Sequence, residues 1–436
     1  MTVLLYLAGV LVIVVGLAVS IGLHECGHMI PAKRFGVRVP QFFVGFGKTL
    51  WSTHRNGTEY GVKAFPLGGF VKLIGMLPPE GDEAAGKRAR SGKPPGAFAR
   101  LVSDAREAEA ELVRPGDETR MFYRLPWWKK VIVMAGGPTV NLVIAFFLFG
   151  GIFWLHGVPE TTTTVGTVAD CVIAVRADEP TRLCRSTDPT APSKAAGIEP
   201  GDKIVAFGDT TITSYDQLQK LIRANPKETV AITVIRDGAE KVLTATTSVN
   251  ALPALDGSTT SVDVGYLGIS PTQENVSKGP IYTLGQMADY TGETVKALGH
   301  LPVRVWGVAK TVVGAQDRDP NSPMSVVGVG RVAGEVASDD AVSVGDRVAF
   351  VFTLLAGVNL FVGMFNFVPL LPLDGGHIAG ALYEAVRRGF AKLRGRPDPG
   401  HFDVARLLPV AYVTAGVLLL MTVLLVYADL VKPIGS

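Results

Sequence analysis

Two histidines four residues apart, His24 and His28, bracket a glutamate in the run Gly22-Leu23-His24-Glu25-Cys26-Gly27-His28. On a helix the pair shares one face. Two imidazole nitrogens can then be offered to a single Zn²⁺, while Glu25 lies close enough to take a proton from a water at the metal. A catalytic zinc commonly takes three protein ligands and keeps one position for water. The third donor must come from elsewhere, and of the other histidines His54, His156, His300 and His401 fall in loops or outside apolar segments. Asp374 is the better candidate, in Asn366-Phe367-Val368-Pro369-Leu370-Leu371-Pro372-Leu373-Asp374-Gly375-Gly376-His377. Its two prolines break helical hydrogen bonding, and its two glycines permit a bend that aims a carboxylate sideways.

Blander readings exist for each residue. The histidines can be polar residues ending a membrane helix with Glu25 as their partner, Asp374 can cap a helix, and His377 can sit near the headgroups. Against the first stands its cost, about 2.5 to 3.5 kcal/mol for each ionisable group within a spanning segment, which a divalent cation offsets. Cys26 is a further soft donor, but it points away from the histidine face.

The elements that would carry these residues follow from composition. The chain has 436 residues, 47% hydrophobic and 19% charged, against about 25% charged in an ordinary soluble domain. Four stretches, 2–23, 131–155, 348–373 and 407–427, carry no Asp, Glu, Lys or Arg. Each provides the roughly 20 helical residues that a bilayer core needs. The first lacks the basic start and small-residue processing site of a cleavable signal. A net charge of +3 gives no reason to expect nucleic acid.

Basic residues cluster on one side of these segments: Lys33, Arg34 and Arg38, then Arg124, Lys129 and Lys130, then Arg387, Arg388, Lys392, Arg394 and Arg396. The positive-inside rule makes those loops cytoplasmic and places both termini and 156–347 outside. The metal motifs therefore meet near the cytoplasmic face. Cys171 and Cys184 fall in the external region, where a bridge is permitted but not established by spacing.

The expected fold is a polytopic α-helical membrane protein with four transmembrane helices, a membrane-associated β-hairpin sheet and an inserted extracytoplasmic α+β domain. Its segments are a first transmembrane helix over 1–33, a sheet over 34–77 with turns at Asn56-Gly57 and Gly68-Gly69, and a mobile cytoplasmic loop over 78–124. A second helix covers 125–156, the soluble domain 161–270, and an extracytoplasmic amphipathic region 271–347. The third helix is expected over 348–377 with the Asp374 motif at its end, followed by a basic loop over 378–404 and a fourth helix over 405–430.

With His24-Glu25-x-x-His28, Asn366-x-x-Pro369 and Leu373-Asp374-Gly375 in place, the chain resembles the site-2 protease family of intramembrane zinc metalloproteases. It is most similar to the bacterial regulator-of-sigma-E type of actinobacteria. The likeness covers essentially the whole chain, including Gly136-Gly137-Pro138-Thr139-Val140-Asn141. One departure is that Pro372 follows Pro369 by three residues, where the family commonly has two. Separately, Ala195-Ala196-Gly197-Ile198-Glu199-Pro200-Gly201-Asp202-Lys203-Ile204 resembles the turn-to-strand signature of a bacterial PDZ domain, in one copy ending near Tyr266-Leu267-Gly268-Ile269.

The resemblance implies zinc held by His24, His28 and Asp374, with Glu25 as catalytic base. It implies substrate contacts at Asn366, Asn141, Gly68 and Gly69, the last two in a hairpin able to add an unwound substrate as a strand. It further implies a single-pass membrane substrate such as an anti-sigma factor, trimmed by an upstream site-1-type protease, with the PDZ domain as filter. Rival classes are a metal transporter, which would favour internal repeats that are not seen here, and a silent scaffold presenting the PDZ domain.

Overall fold

Four helices of the computed structural model are long and apolar enough to cross a membrane: Thr2–Arg34, Trp127–His156, Val344–Asn366 and Val404–Val431. The structure describes residues 2–79, 97–173, 183–253 and 261–434. The chain divides into two compact units, His156–Lys278 and the remainder.

In the larger unit, helix α1 (Thr2–Arg34) carries the histidine motif near its end. Strands β1 (Gln41–Arg55) and β2 (Thr58–Lys72) follow, joined at Asn56 and Gly57, both in the left-handed region, as a two-residue hairpin turn requires. The register places Phe42 opposite both Tyr60 and Val71, and Phe43 opposite both Gly61 and Phe70. The first half of β1 is thus flanked on both sides by β2, which leaves Gly69–Val71 as an outer run of the sheet. Of the mobile loop expected over 78–124, residues 80–96 lie outside the described residues, while Ala97–Ala110 is a helix, α2.

Helix α3 (Trp127–Gly151) packs on α1 through glycine. A Cβ on Gly27 would lie 2.5 Å from the Gly136 carbonyl oxygen, and one on Gly136 would overlap the Gly27 carbonyl. Pro31, inside α1, has no N–H to give the Gly27 carbonyl, so that turn is already relieved of one helical bond where α3 presses closest. The larger unit resumes after Lys278 with α5 (Pro280–Gly299), α6 (Leu301–Val312) and α7 (Val326–Ala337). Within the expected 271–347 region, Gly334 lies against Tyr6 and Ala333 against Gly9 of α1, so α7 is a packing helix whose small residues permit close approach.

Helix α8 (Val344–Asn366) stops eleven residues short of the expected 377. The Pro369 and Pro372 segment cannot continue it, and a new helix, α9 (Asp374–Leu393), begins at Asp374 itself. The basic region 378–404 is therefore largely helix rather than loop. Helix α10 (Leu408–Val431) closes the chain.

The smaller unit starts at His156, before the expected 161, and its first strand is β3 (Val158–Val168). Its sheet runs β9 (Ile269–Val276), β3, β4 (Lys203–Phe207), β5 (Thr229–Arg236), β6 (Ala239–Thr246), with a separate hairpin of β7 (Ser248–Pro253) and β8 (Ser261–Tyr266). Helix α4 (Tyr215–Ala224), capped by Ser214, lays Leu218 and Ile222 on a core of Val165, Ile204, Ile232 and Val234. Cys171 and Cys184 are bridged.

Asp202 in this unit is buried and accepts both Nε and Nη2 of Arg236, at 2.6 and 2.7 Å, together with the Glu199 amide. The Arg236 guanidinium holds the Asp202 carboxyl below the usual carboxylate range. A carboxyl lowered in the folded state adds stability that is fully present above its unfolded pKa of about 3.9 and is lost as pH falls through the folded value. Hydrogen exchange at β4 and β5 of the intact chain, corrected for intrinsic rates, should lose protection below about pH 4. Asp202→Asn should lower protection at neutral pH and flatten that dependence, and a dependence unchanged in the variant would contradict this account.

Candidate metal centre

His24 and His28 come one turn apart on α1, and Asp374 comes in from the first turn of α9. The two Nε2 atoms are 3.1 Å apart, and Asp374 Oδ2 is 3.4 Å from each. A tetrahedral ion with bonds of about 2.0 to 2.1 Å separates its donors by roughly 3.3 Å, so the donor set fits zinc. Among the described residues His24, His28 and Asp374 form the group of possible metal donors, and Cys26 stays outside it.

The outer contacts decide which nitrogen faces inward. His28 Nδ1 donates to the Val133 carbonyl at 2.8 Å and His24 Nδ1 to Asn141 Oδ1 at 3.0 Å. With both Nδ1 atoms protonated, neutral rings present Nε2 lone pairs. Two lone pairs and a carboxylate oxygen then converge on one point. Three acceptors without a donor are reconciled by a cation.

Space for that cation depends on α3. A Cβ on Gly137 would overlap His28 Nε2 and lie 2.7 Å from His24 Nε2. Gly363 of α8 lies close to the Pro138 carbonyl and Asn141 of α3, which holds that helix beside the site. Gly375 in turn backs onto the Phe367 and Val368 carbonyls, so the chain reverses tightly before α9 and delivers Asp374 to the histidines.

A cavity of about 470 Å³ opens over the three donors. Glu25 lines it, as do the predicted substrate contacts Gly68, Gly69, Asn141 and Asn366. Gly69 lies against Glu25, where an added Cβ would be 3.2 Å from Glu25 Cγ and 3.0 Å from Ile21 Cγ2. Gly68 has a φ of 115°, a backbone setting that glycine adopts readily. Asn141 is buried, and its carboxamide oxygen accepts from His24 Nδ1 across the two helices, which orients that ring.

Two participants escaped the sequence reading. Gly137 was noted only within a motif, since a missing side chain carries no chemical signal. His377 was set aside, yet it lies one turn beyond Asp374 and lines the same cavity. Its spacing of three residues from Asp374 on a helix was the available signal.

Residues 12–397 match the family described as peptidase family M50. The chain is 34% identical to zinc metalloprotease Rip1 of Mycobacterium tuberculosis, over 99% of each sequence. It is 33% identical to zinc metalloprotease Rip1 of Mycolicibacterium smegmatis over 98% of each, and 28% identical to metalloprotease MmpA of Caulobacter vibrioides over 85% of each.

Proposed function

Because the chain belongs to peptidase family M50 and is an intramembrane zinc metalloprotease, we propose that His24, His28 and Asp374 hold its zinc and that Glu25 carries the proton in peptide-bond hydrolysis. The observation that carries this reading is the meeting of three inward-facing acceptors beside Glu25 at the ends of apolar helices. Bound zinc supplies Lewis acidity, polarising a carbonyl and acidifying water.

The protein's own residues do the rest. Glu25 accepts a proton from the attacking water and returns it to the leaving amine. Asn141 and Val133 hold the imidazoles in the tautomer that leaves Nε2 inward. A substrate helix hides its carbonyls in its own hydrogen bonds and must unwind before attack. Gly68 and Gly69, lacking side chains, let an extended segment lie beside Glu25 as an added strand, and Asn366 offers a carboxamide to its backbone.

The substrate we propose is a single-pass membrane protein, such as an anti-sigma factor, already trimmed by a site-1-type protease. The basic loops favour a site near the cytoplasmic face and an external 156–278 unit. That unit we read as a PDZ domain that screens substrate. Supporting this is a cavity of about 180 Å³ lined by Tyr215 and Ile222 of α4 and by the Gly265 to Ile269 turn, a place for an extended peptide end.

Metal analysis of the purified protein tests the ligand set. The wild type should carry about one zinc per chain, and His24→Ala and Asp374→Ala should lose it, since a three-donor site reduced to two loses most of its affinity. Full zinc in either variant would remove that residue from the site.

A further inference from the structure

Asp374 is useful only if α9 stands at the right height against α3, which supplies Val133, Gly137 and Asn141 to the histidines. Ten residues beyond Asp374, about 15 Å along the helix, Glu384 is 1% exposed. Its Oε2 accepts from Lys130 Nζ at 2.7 Å. Lys130, itself buried, stands three residues before Val133 and seven before Gly137 on α3. Lys130 is also one of the basic residues just before the second apolar stretch, and its charge is engaged by this contact.

The remaining capacity of Glu384 is taken up by the loop before α10 and by Arg388 of α9 itself. Its carboxylate accepts the Phe402 amide at 3.1 Å and meets His401 Nδ1 at 3.3 Å and Arg388 Nη2 at 3.4 Å. Arg388 also pairs with Asp398 at 3.2 Å. By contrast Leu382, Val386 and Phe390 of α9 are exposed, so that face gives little grip on the rest of the unit. Apolar packing tolerates sliding by a fraction of a turn. A buried ion pair does not, because separating its charges leaves each one uncompensated, and setting register is the best attested use of such pairs.

We propose that the Lys130 and Glu384 pair is a positioning brace that fixes α9 against α3 and thereby closes Asp374 on His24 and His28. The inference rests on the zinc reading above. Both residues act through Asp374, and neither touches the reacting atoms. A small cavity lined by Lys130, Glu384 and His377 lies between the brace and the metal cavity, which His377 also lines.

The test uses the full chain in detergent, with zinc affinity measured by chelator competition and kcat and KM on a model membrane helix. Glu384→Gln and Lys130→Met should weaken zinc binding by up to about 10-fold, the low end of the range for groups that touch a metal ligand directly. They should lower kcat at limiting zinc while KM changes less than about 2-fold, since substrate contacts are untouched. Added zinc should restore much of the rate.

A purely structural role predicts lower thermal stability with unchanged zinc affinity and kcat per folded molecule, which would overturn the brace. Should Glu384→Gln fail to fold, Glu384→Asp keeps the charge and shortens its reach, and unchanged affinity there overturns the proposal equally. His24→Ala separates the two claims. If it keeps zinc, the ligand reading fails; if it loses zinc while the brace variants keep theirs, only the brace fails.

Discussion

Glu25→Gln is expected to retain zinc and to lose peptide-bond cleavage by about 10²- to 10⁴-fold, the usual contribution of a positioned general acid–base group. The substitution keeps shape and removes only the ability to accept a proton. Glu25 is not among the three converging donors, so metal content should be unchanged. It lines the cavity beside Gly69, where a substrate strand would lie, so the loss should fall on kcat with KM little altered. Cleavage of a model membrane helix, measured beside zinc stoichiometry, decides this. Wild-type turnover in Glu25→Gln would leave the proton carrier unassigned. Loss of zinc would instead make Glu25 part of the metal site.

The second large effect comes from a single methyl group. Gly137→Ala should abolish zinc binding while keeping the helices. Alanine favours a helix over glycine by about 0.8 to 1.0 kcal/mol, so α3 itself gains. The added Cβ, however, falls on the two Nε2 atoms that face the metal. Those rings cannot swing aside cheaply, because Asn141 and the Val133 carbonyl hold their other nitrogens. Zinc content at background with wild-type helical circular dichroism is the expected result. Normal zinc content would show that α3 can retreat from α1 and that the glycine contact is not what shapes the site.

The motif His24, Glu25 and His28 was legible because helical spacing is local: residues four apart share a face whatever the rest of the chain does. The membrane helices were legible for a similar reason, since a run without charges is a property of contiguous residues. Asp374 was reachable through its prolines and glycines, which report a break in the backbone. That break was misplaced all the same. Helix α8 ends at Asn366 and Asp374 opens a new helix, because the proline segment separates two helices rather than bending one. Helix α7 was missed, being too short to span and too rich in glycine to read as helix by propensity.

What the sequence by itself determined, then, is the set of chemical groups and the local geometry of each one. What only the tertiary structure decided is where helices approach: the touching backbones at Gly27 and Gly136, the space beside Gly137, the hydrogen bond of Asn141 to His24, and the burial of Lys130 against Glu384. These depend on distances between residues more than a hundred positions apart. Side-chain type and spacing carry almost no information about such distances, because many packings share the same local preferences and differ only in which helix faces meet.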